Sequence, residues 1–179
     1  MKQLILVITI SFLMTFLFST KTKAEVFFQG GASGVLEFRD NDYVTTLRPG
    51  AMGALGWKSK KYGVRGVFNY VDSIPIDTGN AWHDFYNVGL DFLYSPVSFR
   101  NDTLTPYLVV GGGYYIVDLG NSTSSNGLGG NIGLGLDYKL SETISIGVEN
   151  LFRPIAFLID DSGDFLVTYN FMGLLTFKF

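Results

Sequence analysis

The chain has 179 residues, 47% of them hydrophobic and 16% aromatic, with 22 glycines, a formal charge of −3 and no cysteine. That length suits one domain, and the lack of cysteine excludes disulfides, thiolate metal sites and a lipidated N-terminal cysteine. The acidic balance argues against nucleic acid as a partner, and no glycine loop stands before a helix to suggest a phosphate-bearing cofactor.

Lys2 opens a short basic start, and Leu4 to Phe18 is an almost unbroken apolar run of about 15 residues. That is shorter than the roughly 20 residues a membrane-spanning helix needs. With the small-residue site Thr22-Lys23-Ala24 behind it, the run reads as a signal peptide over residues 1–24, and residues 25–179 as the mature domain beginning at Glu25. Loss of Lys2, Lys21 and Lys23 leaves a mature charge of 10 − 16 = −6. Export without a lipid anchor or a second apolar helix leaves a periplasmic protein, a secreted protein or an outer-membrane barrel.

From Glu25 onward eight segments alternate in polarity with the period of a β-strand. The first, Val26 to Phe38, sets Phe28, Ala32, Leu36 and Phe38 against Gln29, Ser33 and Glu37. The second sets Leu47, Ala51, Leu55 and Trp57 against Arg48 and Lys58, with Pro49 expected near a strand end because it has no N–H for the ladder. The third opposes Tyr62, Val64, Phe68 and Tyr70 to Arg65 and Asn69, and the fourth Tyr86, Val88, Leu90, Phe92 and Tyr94 to Asn87, Gly89 and Asp91. In the fifth, Tyr107 to Val117, both faces are apolar around Gly111-Gly112-Gly113, and its parity stays open. The sixth places Ile132, Leu134, Leu136, Tyr138 and Leu140 against Asn131, Gly133, Gly135, Asp137 and Lys139. The seventh places Ile144, Ile146 and Val148 against Thr143, Ser145, Gly147 and Glu149. The eighth, Phe165 to Phe179, puts Phe165, Val167, Tyr169, Phe171, Leu175, Phe177 and Phe179 on one face and Thr168, Asn170, Thr176 and Lys178 on the other.

Parity does not say which face points outward: a soluble barrel turns its apolar face in, and a membrane barrel turns it to lipid. Aromatic placement decides for lipid. Trp57, Tyr62, Tyr94, Tyr107, Tyr138 and Phe179 fall near strand ends on a single rim if the strands run up and down, as a membrane-interface girdle does. Short connections at Lys58 to Lys61 and Ser141 to Glu142, against longer polar ones at Asp72 to Trp82, Asp118 to Asn126 and Arg153 to Asp164, put the girdle on the periplasmic side. The connection Ser95 to Leu104 is long for that side. The predicted architecture is thus all-β: an eight-stranded antiparallel up-and-down transmembrane β-barrel with both termini in the periplasm.

At Thr105-Pro106-Tyr107-Leu108 with Gly111 to Gly113, at Gly133 to Leu140, at Ile144 to Glu149 and at the aromatic end, the chain resembles the small eight-stranded outer-membrane barrels. That family includes OmpA-like transmembrane domains and opacity-type surface proteins. The resemblance covers essentially the whole mature chain and implies a Gram-negative outer-membrane location, in contact with lipid and lipopolysaccharide. It also implies insertion by the barrel assembly machinery, which reads a terminal aromatic signal matched here by Tyr169, Phe171, Phe177 and Phe179. The chain ends at the barrel, without the peptidoglycan-binding domain of the longer members, so anchoring to the cell wall is not expected.

An eight-stranded barrel is only wide enough for its own side chains, so general diffusion through it is not expected. Glu37, Asp91, Asp137 and Glu149 face inward in this scheme, with Arg48, Arg65, Arg153 and Lys139 as possible partners. Buried ions must pair, and a salt-bridged plug is the expected outcome rather than a gated ion path. Some small barrels modify lipid A, which directs attention to His83, the single histidine, followed by Asp84. Its possible serine partners Ser73, Ser162 and the Ser122 to Ser125 group lie in outer loops without the His-x-Ser arrangement of the deacylases, and no catalytic site is expected. Asp160-Asp161-Ser162-Gly163-Asp164 has oxygen donors for calcium but not the spacing of a calcium loop, and reads as a polar turn. The expected role is non-enzymatic: envelope integrity, or contact with a host or cell-surface ligand through outer loops where Tyr43, Trp82 and Ile74-Pro75-Ile76 offer apolar contacts.

Overall fold

In a computed structural model of the chain, residues 24–38, 47–72, 84–118, 124–157 and 165–179 are described. Residues 1–23, within the segment expected to be a signal peptide, and the residues Tyr43, Ser73, Ile74 to Ile76, Trp82, His83 and Asp160 to Asp164 lie outside them. The strands are β1 (Glu25–Phe38), β2 (Leu47–Lys58), β3 (Tyr62–Val71), β4 (Phe85–Tyr94), β5 (Leu104–Asp118), β6 (Ser124–Lys139), β7 (Ile144–Phe157) and β8 (Phe165–Lys178). Each pairs antiparallel with its neighbour in sequence, and β1 pairs with β8, so the sheet closes on itself and leaves no edge.

Alternation sorts the side chains onto two surfaces. Phe28, Leu55, Phe68, Val88, Leu90, Ile132, Leu134, Val148, Phe152 and Phe171 stand exposed on the outside. Soluble proteins rarely show contiguous apolar patches beyond a few hundred Å2, and here the belt runs around the whole barrel. Only hydrocarbon can cover it at no cost. The turn end carries outward Trp57, Tyr62, Tyr94, Tyr138 and Phe179, and the rings of Tyr62 and Tyr94 stack at 5.3 Å. The loop end carries its own aromatic set, with Tyr70 against Tyr86 at 5.2 Å and Tyr169 edge-on to Phe171 at 4.7 Å. From Tyr94 to Tyr86 the chain climbs about 26 Å along the strand, roughly 20 Å along the barrel axis at a tilt of about 40°. That is close to the apolar band of about 25 Å that a membrane barrel presents. The second aromatic set was not anticipated from the sequence.

The fifth strand settles into one parity. Leu108, Val110, Tyr114 and Ile116 point out, and Tyr107, Val109 and Tyr115 point in, with Gly111 and Gly113 on the inward register. Tyr107, expected in the girdle, is therefore a lumen residue, only 3% exposed. The reason is Gly135 on β6, its cross-strand partner. A Cβ at Gly135 would lie 2.1 Å from the Tyr107 ring, so the glycine leaves the space the ring fills.

β6 and β7 also extend farther toward the loop end than the alternation suggested, to Ser124 and Phe157. Pro154 sits inside β7, and the β6 to β7 register skips Gly130 and Asn131, opposite Pro154 and Arg153. Proline has no N–H to complete that stretch of ladder.

Candidate functional site

The lumen is filled by polar groups set among buried apolar side chains. At its centre, Arg65 on β3 is fully buried, and its cross-strand partner on β4 is Asp91. Arg65 Nε and Nη2 donate to Asp91 Oδ2 at 2.9 and 2.8 Å. Nη2 also reaches across the barrel to Glu149 Oε1 on β7 at 2.6 Å, and Nη1 donates to Gln29 Oε1 on β1 at 2.7 Å. The two carboxylates outnumber the guanidinium by one formal charge, and the surplus is met by neutral donors. Tyr107 O–H donates to Glu149 Oε2 at 2.8 Å, and Asn131 Nδ2 to Asp91 Oδ1 at 2.6 Å. Gln29 passes its amide on to Thr176 Oγ1 at 3.0 Å. Every carboxylate oxygen in the group has a donor, which is the condition under which buried charge is tolerated.

Glycine makes room for this network. A Cβ on Gly111 would fall 2.3 Å from Asp91 Oδ1 and 2.7 Å from Asn131 Oδ1, and one on Gly56 would fall 2.7 Å from the Arg65 Cβ. The mid-strand glycines of β5 thus leave space beside a buried carboxylate and its amide partner.

Toward the turn end lies a shallow mouth. Lys58 Nζ pairs with Asp137 Oδ2 at 3.2 Å and stands 5.1 Å over the Tyr107 ring. Lys178 and Glu25 complete the rim of a cavity of about 20 Å3, room for about one water molecule. Asp137 therefore belongs to the mouth and not to the central group. Lys139, expected to neutralise an inward acid, instead pairs with Glu142 in the next turn at 2.8 Å, and that hydrogen bond holds the Glu142 carboxyl below its usual range.

Toward the loop end apolar side chains follow. Val67 follows Arg65 on the inward face of β3, Gly89 lies between Asp91 and Asn87 on β4, and Leu151 lies between Glu149 and Arg153 on β7. Val67 and Leu151 cluster with Met52, Val109 and Met172 as one buried apolar group. Above it is a second polar group. Asn69 Nδ2 donates to Asn87 Oδ1 at 2.9 Å, Arg153 Nη2 approaches Asn69 Oδ1 at 3.5 Å, and Asn170, with its amide oxygen turned to the guanidinium, accepts from Arg153 Nε and Nη1 at 3.1 and 2.8 Å. Among the described residues, then, the partners of Arg153 are amides. Val35, Val71, Phe85, Tyr115 and Ile155 close the top as a further apolar cluster. Arg48 is buried near this end, and the side chain of Glu37 lies outside the described set.

Among the described residues no three His, Asp or Glu side chains gather in a way that could hold a metal ion. Gln29, Lys58, Asn69, Asn87, Tyr107, Asn131 and Asn170 are site residues to which the sequence assigned no role in the lumen network. All but Tyr107 carried a signal, their place on the polar face of a strand.

No protein-family model matches the sequence, and no curated protein matches it. The architecture is similar to several solved barrels. Neisserial surface protein A superposes with a TM-score of 0.73 at 13% identity, over 88% of this chain and 99% of that one. Ail, the attachment invasion locus protein of Yersinia pestis, gives 0.59 at 15%, over 88% and 99%, and has also been solved with the heparin analogue sucrose octasulfate. The N-terminal β-barrel domain of Pseudomonas aeruginosa OprF gives 0.52 at 14%, over 88% and 100%. The fold is that of the small eight-stranded outer-membrane β-barrels.

Proposed function

We infer that this barrel, exported by a signal peptide cleaved after Ala24 and seated in the Gram-negative outer membrane, is non-enzymatic and serves envelope integrity and surface interaction. The observation that carries this reading is the closed central network, whose charges are all taken up by one another and by neutral donors across the lumen. An ion moving along the axis must displace Arg65, Asp91 and Glu149 from one another, and the Val67 and Leu151 side chains beside them offer it no polar partner, so stripping it of water without replacement is prohibitively costly. The lumen is thus a plug, and what the protein offers its surroundings is its outside and its ends.

The loop end has a definite charge. By sequence, Glu37, Asp40, Asp42, Asp72, Asp77, Asp84, Asp118, Asp160, Asp161 and Asp164 belong to that half of the chain's turns and strand ends, against Arg39 and the buried Arg48. A sulfated saccharide of the kind bound in the Ail complex would meet repulsion here. A cationic partner, or lipopolysaccharide bridged by divalent cations, fits the charge. The aromatic residues Tyr169, Phe171, Phe177 and Phe179 serve in this reading as the signal for the barrel assembly machinery.

The test is conductance of the purified barrel in planar bilayers alongside adhesion of cells expressing loop-deleted variants. The expected result is a silent barrel whose surface phenotype depends on the loops. Steady single-channel steps from the wild-type protein would overturn the plug.

A further inference from the structure

The connection between β4 and β5 is long for its side of the barrel, and its shape is specific. Phe99 forms an antiparallel bridge with Leu104, closed by Phe99 N–H to Leu104 O at 2.8 Å and Leu104 N–H to Phe99 O at 3.1 Å. The tip turns through Arg100, Asn101 and Asp102, all three with positive φ, at 53°, 57° and 64°. Consecutive left-handed residues that are not glycine are strained and persist only where their surroundings fix them. Here the flanks are fixed: Ser95 N–H donates to Lys61 O at 2.7 Å, and Lys139 N–H to Thr103 O at 2.8 Å, so the hairpin is tied to the turns on both sides.

The residues this displays are not those of an ordinary polar turn. Phe99 is 54% exposed and Val97 49%. Leu104 continues the outward register of β5, and directly opposed residues of an antiparallel pair share a face, so Phe99 looks toward the lipid side. On this hairpin and the β2–β3 turn tied to it stand Lys60, Lys61 and Arg100, all exposed, against the one charge of Asp102, whose carboxylate accepts from Ser98; Lys139 is neutralised by Glu142. Just above, the stacked Tyr62 and Tyr94 mark the membrane interface. Apolar side chains beside cations, at the level of an aromatic girdle, match a surface of acyl chains capped by anionic headgroups.

We propose that the β4–β5 hairpin and the β2–β3 turn form an anchor for anionic phospholipid in the periplasmic leaflet, with Phe99 in the acyl boundary and Lys60, Lys61 and Arg100 on the phosphates. The inference rests on the membrane reading above. Its test can fail alone, because every variant is first required to show the folded, heat-modifiable band.

The experiment uses the mature chain in mixed micelles containing phosphatidylglycerol and phosphatidylcholine of equal chain length, with retained lipid counted by native mass spectrometry. Wild type is expected to retain phosphatidylglycerol in preference. Lys60→Gln, Lys61→Gln and Arg100→Asn are each expected to reduce that preference by up to about fivefold. Because the chain has no cysteine, Phe99→Cys can carry a single environment-sensitive label, expected to be quenched by lipid-borne quenchers in bilayers containing phosphatidylglycerol. Equal retention of the two lipids by the wild type, or a label quenched only from water, overturns the proposal; the patch would then face a periplasmic protein.

Discussion

Arg65 and Glu149 sit on β3 and β7, four strands apart in a ring of eight, and their side chains meet at 2.6 Å. The bond ties opposite walls of the barrel, and Tyr107 and Asp91 complete it from the strands between. Removing one partner of such a pair leaves a buried charge that water cannot reach. Arg65→Ala, which leaves the Asp91 and Glu149 carboxylates without a counter-charge, is therefore expected to lower stability by about 3–5 kcal/mol, and Tyr107→Phe, which strips one donor from Glu149, by about 1–3 kcal/mol. Urea unfolding in lipid vesicles measures both. Unchanged unfolding together with altered conductance would mean that the group serves transport and not cohesion.

Two glycines separate the demands of the lumen from those of the lipid face. At Gly111 a methyl group would run into Asp91, Asn131 and the Leu90 carbonyl oxygen, whereas at Gly173 it would meet nothing within 4 Å. Gly111→Ala is expected to cost about 1–3 kcal/mol through overpacking, and Gly173→Ala to be neutral or to gain about 0.5–1 kcal/mol by stiffening the unfolded chain. A reversed order in the same unfolding assay would show that the central network tolerates displacement.

The apolar side chains Val67 and Leu151 should contribute to the seal. Placing hydroxyls in it, as Val67→Ser with Leu151→Ser, is expected to produce small steady conductance steps that the wild type lacks, at a stability cost of about 2–5 kcal/mol for the lost packing. If the double variant stays silent in planar bilayers while remaining folded, the barrier lies elsewhere, in the upper cluster around Tyr115 and Ile155.

Phe177 and Phe179 face lipid, and neither touches the lumen network. Replacing both by alanine is expected to deplete the heat-modifiable protein from outer-membrane fractions of cells while leaving refolding into detergent nearly intact. Equal loss in both assays would assign these rings to barrel stability rather than to recognition during insertion.

The outer surface was legible in the sequence because lipid accepts only apolar side chains there, so alternation is strict wherever a strand crosses, as at Ile132, Leu134 and Leu136. The inner surface obeys a weaker rule. It must be filled, and Phe27, Met172, Leu174 and Leu151 fill it as well as Thr176 or Asn170 do. Hence β5, apolar on both faces, could not be oriented from its own residues; the deciding fact was the space left by Gly135 on a neighbouring strand. Partnership across the lumen was equally hidden. Arg65 finds Asp91 by cross-strand register, but Glu149 only by closure of the ring. The inward acids Asp91 and Asp137 end at different depths, one at the centre and one at the mouth.

Phe27 to Phe38 of β1 lie in register with Val167 to Lys178 of β8, and Phe179 N–H reaches the Val26 carbonyl oxygen at 2.9 Å. The barrel's opening strand thus waits for its closing one, and a barrel stopped short of β8 carries two raw margins of unpaired peptide groups. Such a fragment has no half-built version of the finished state to rest in. Insertion must keep the opening strand from pairing elsewhere until its counterpart arrives.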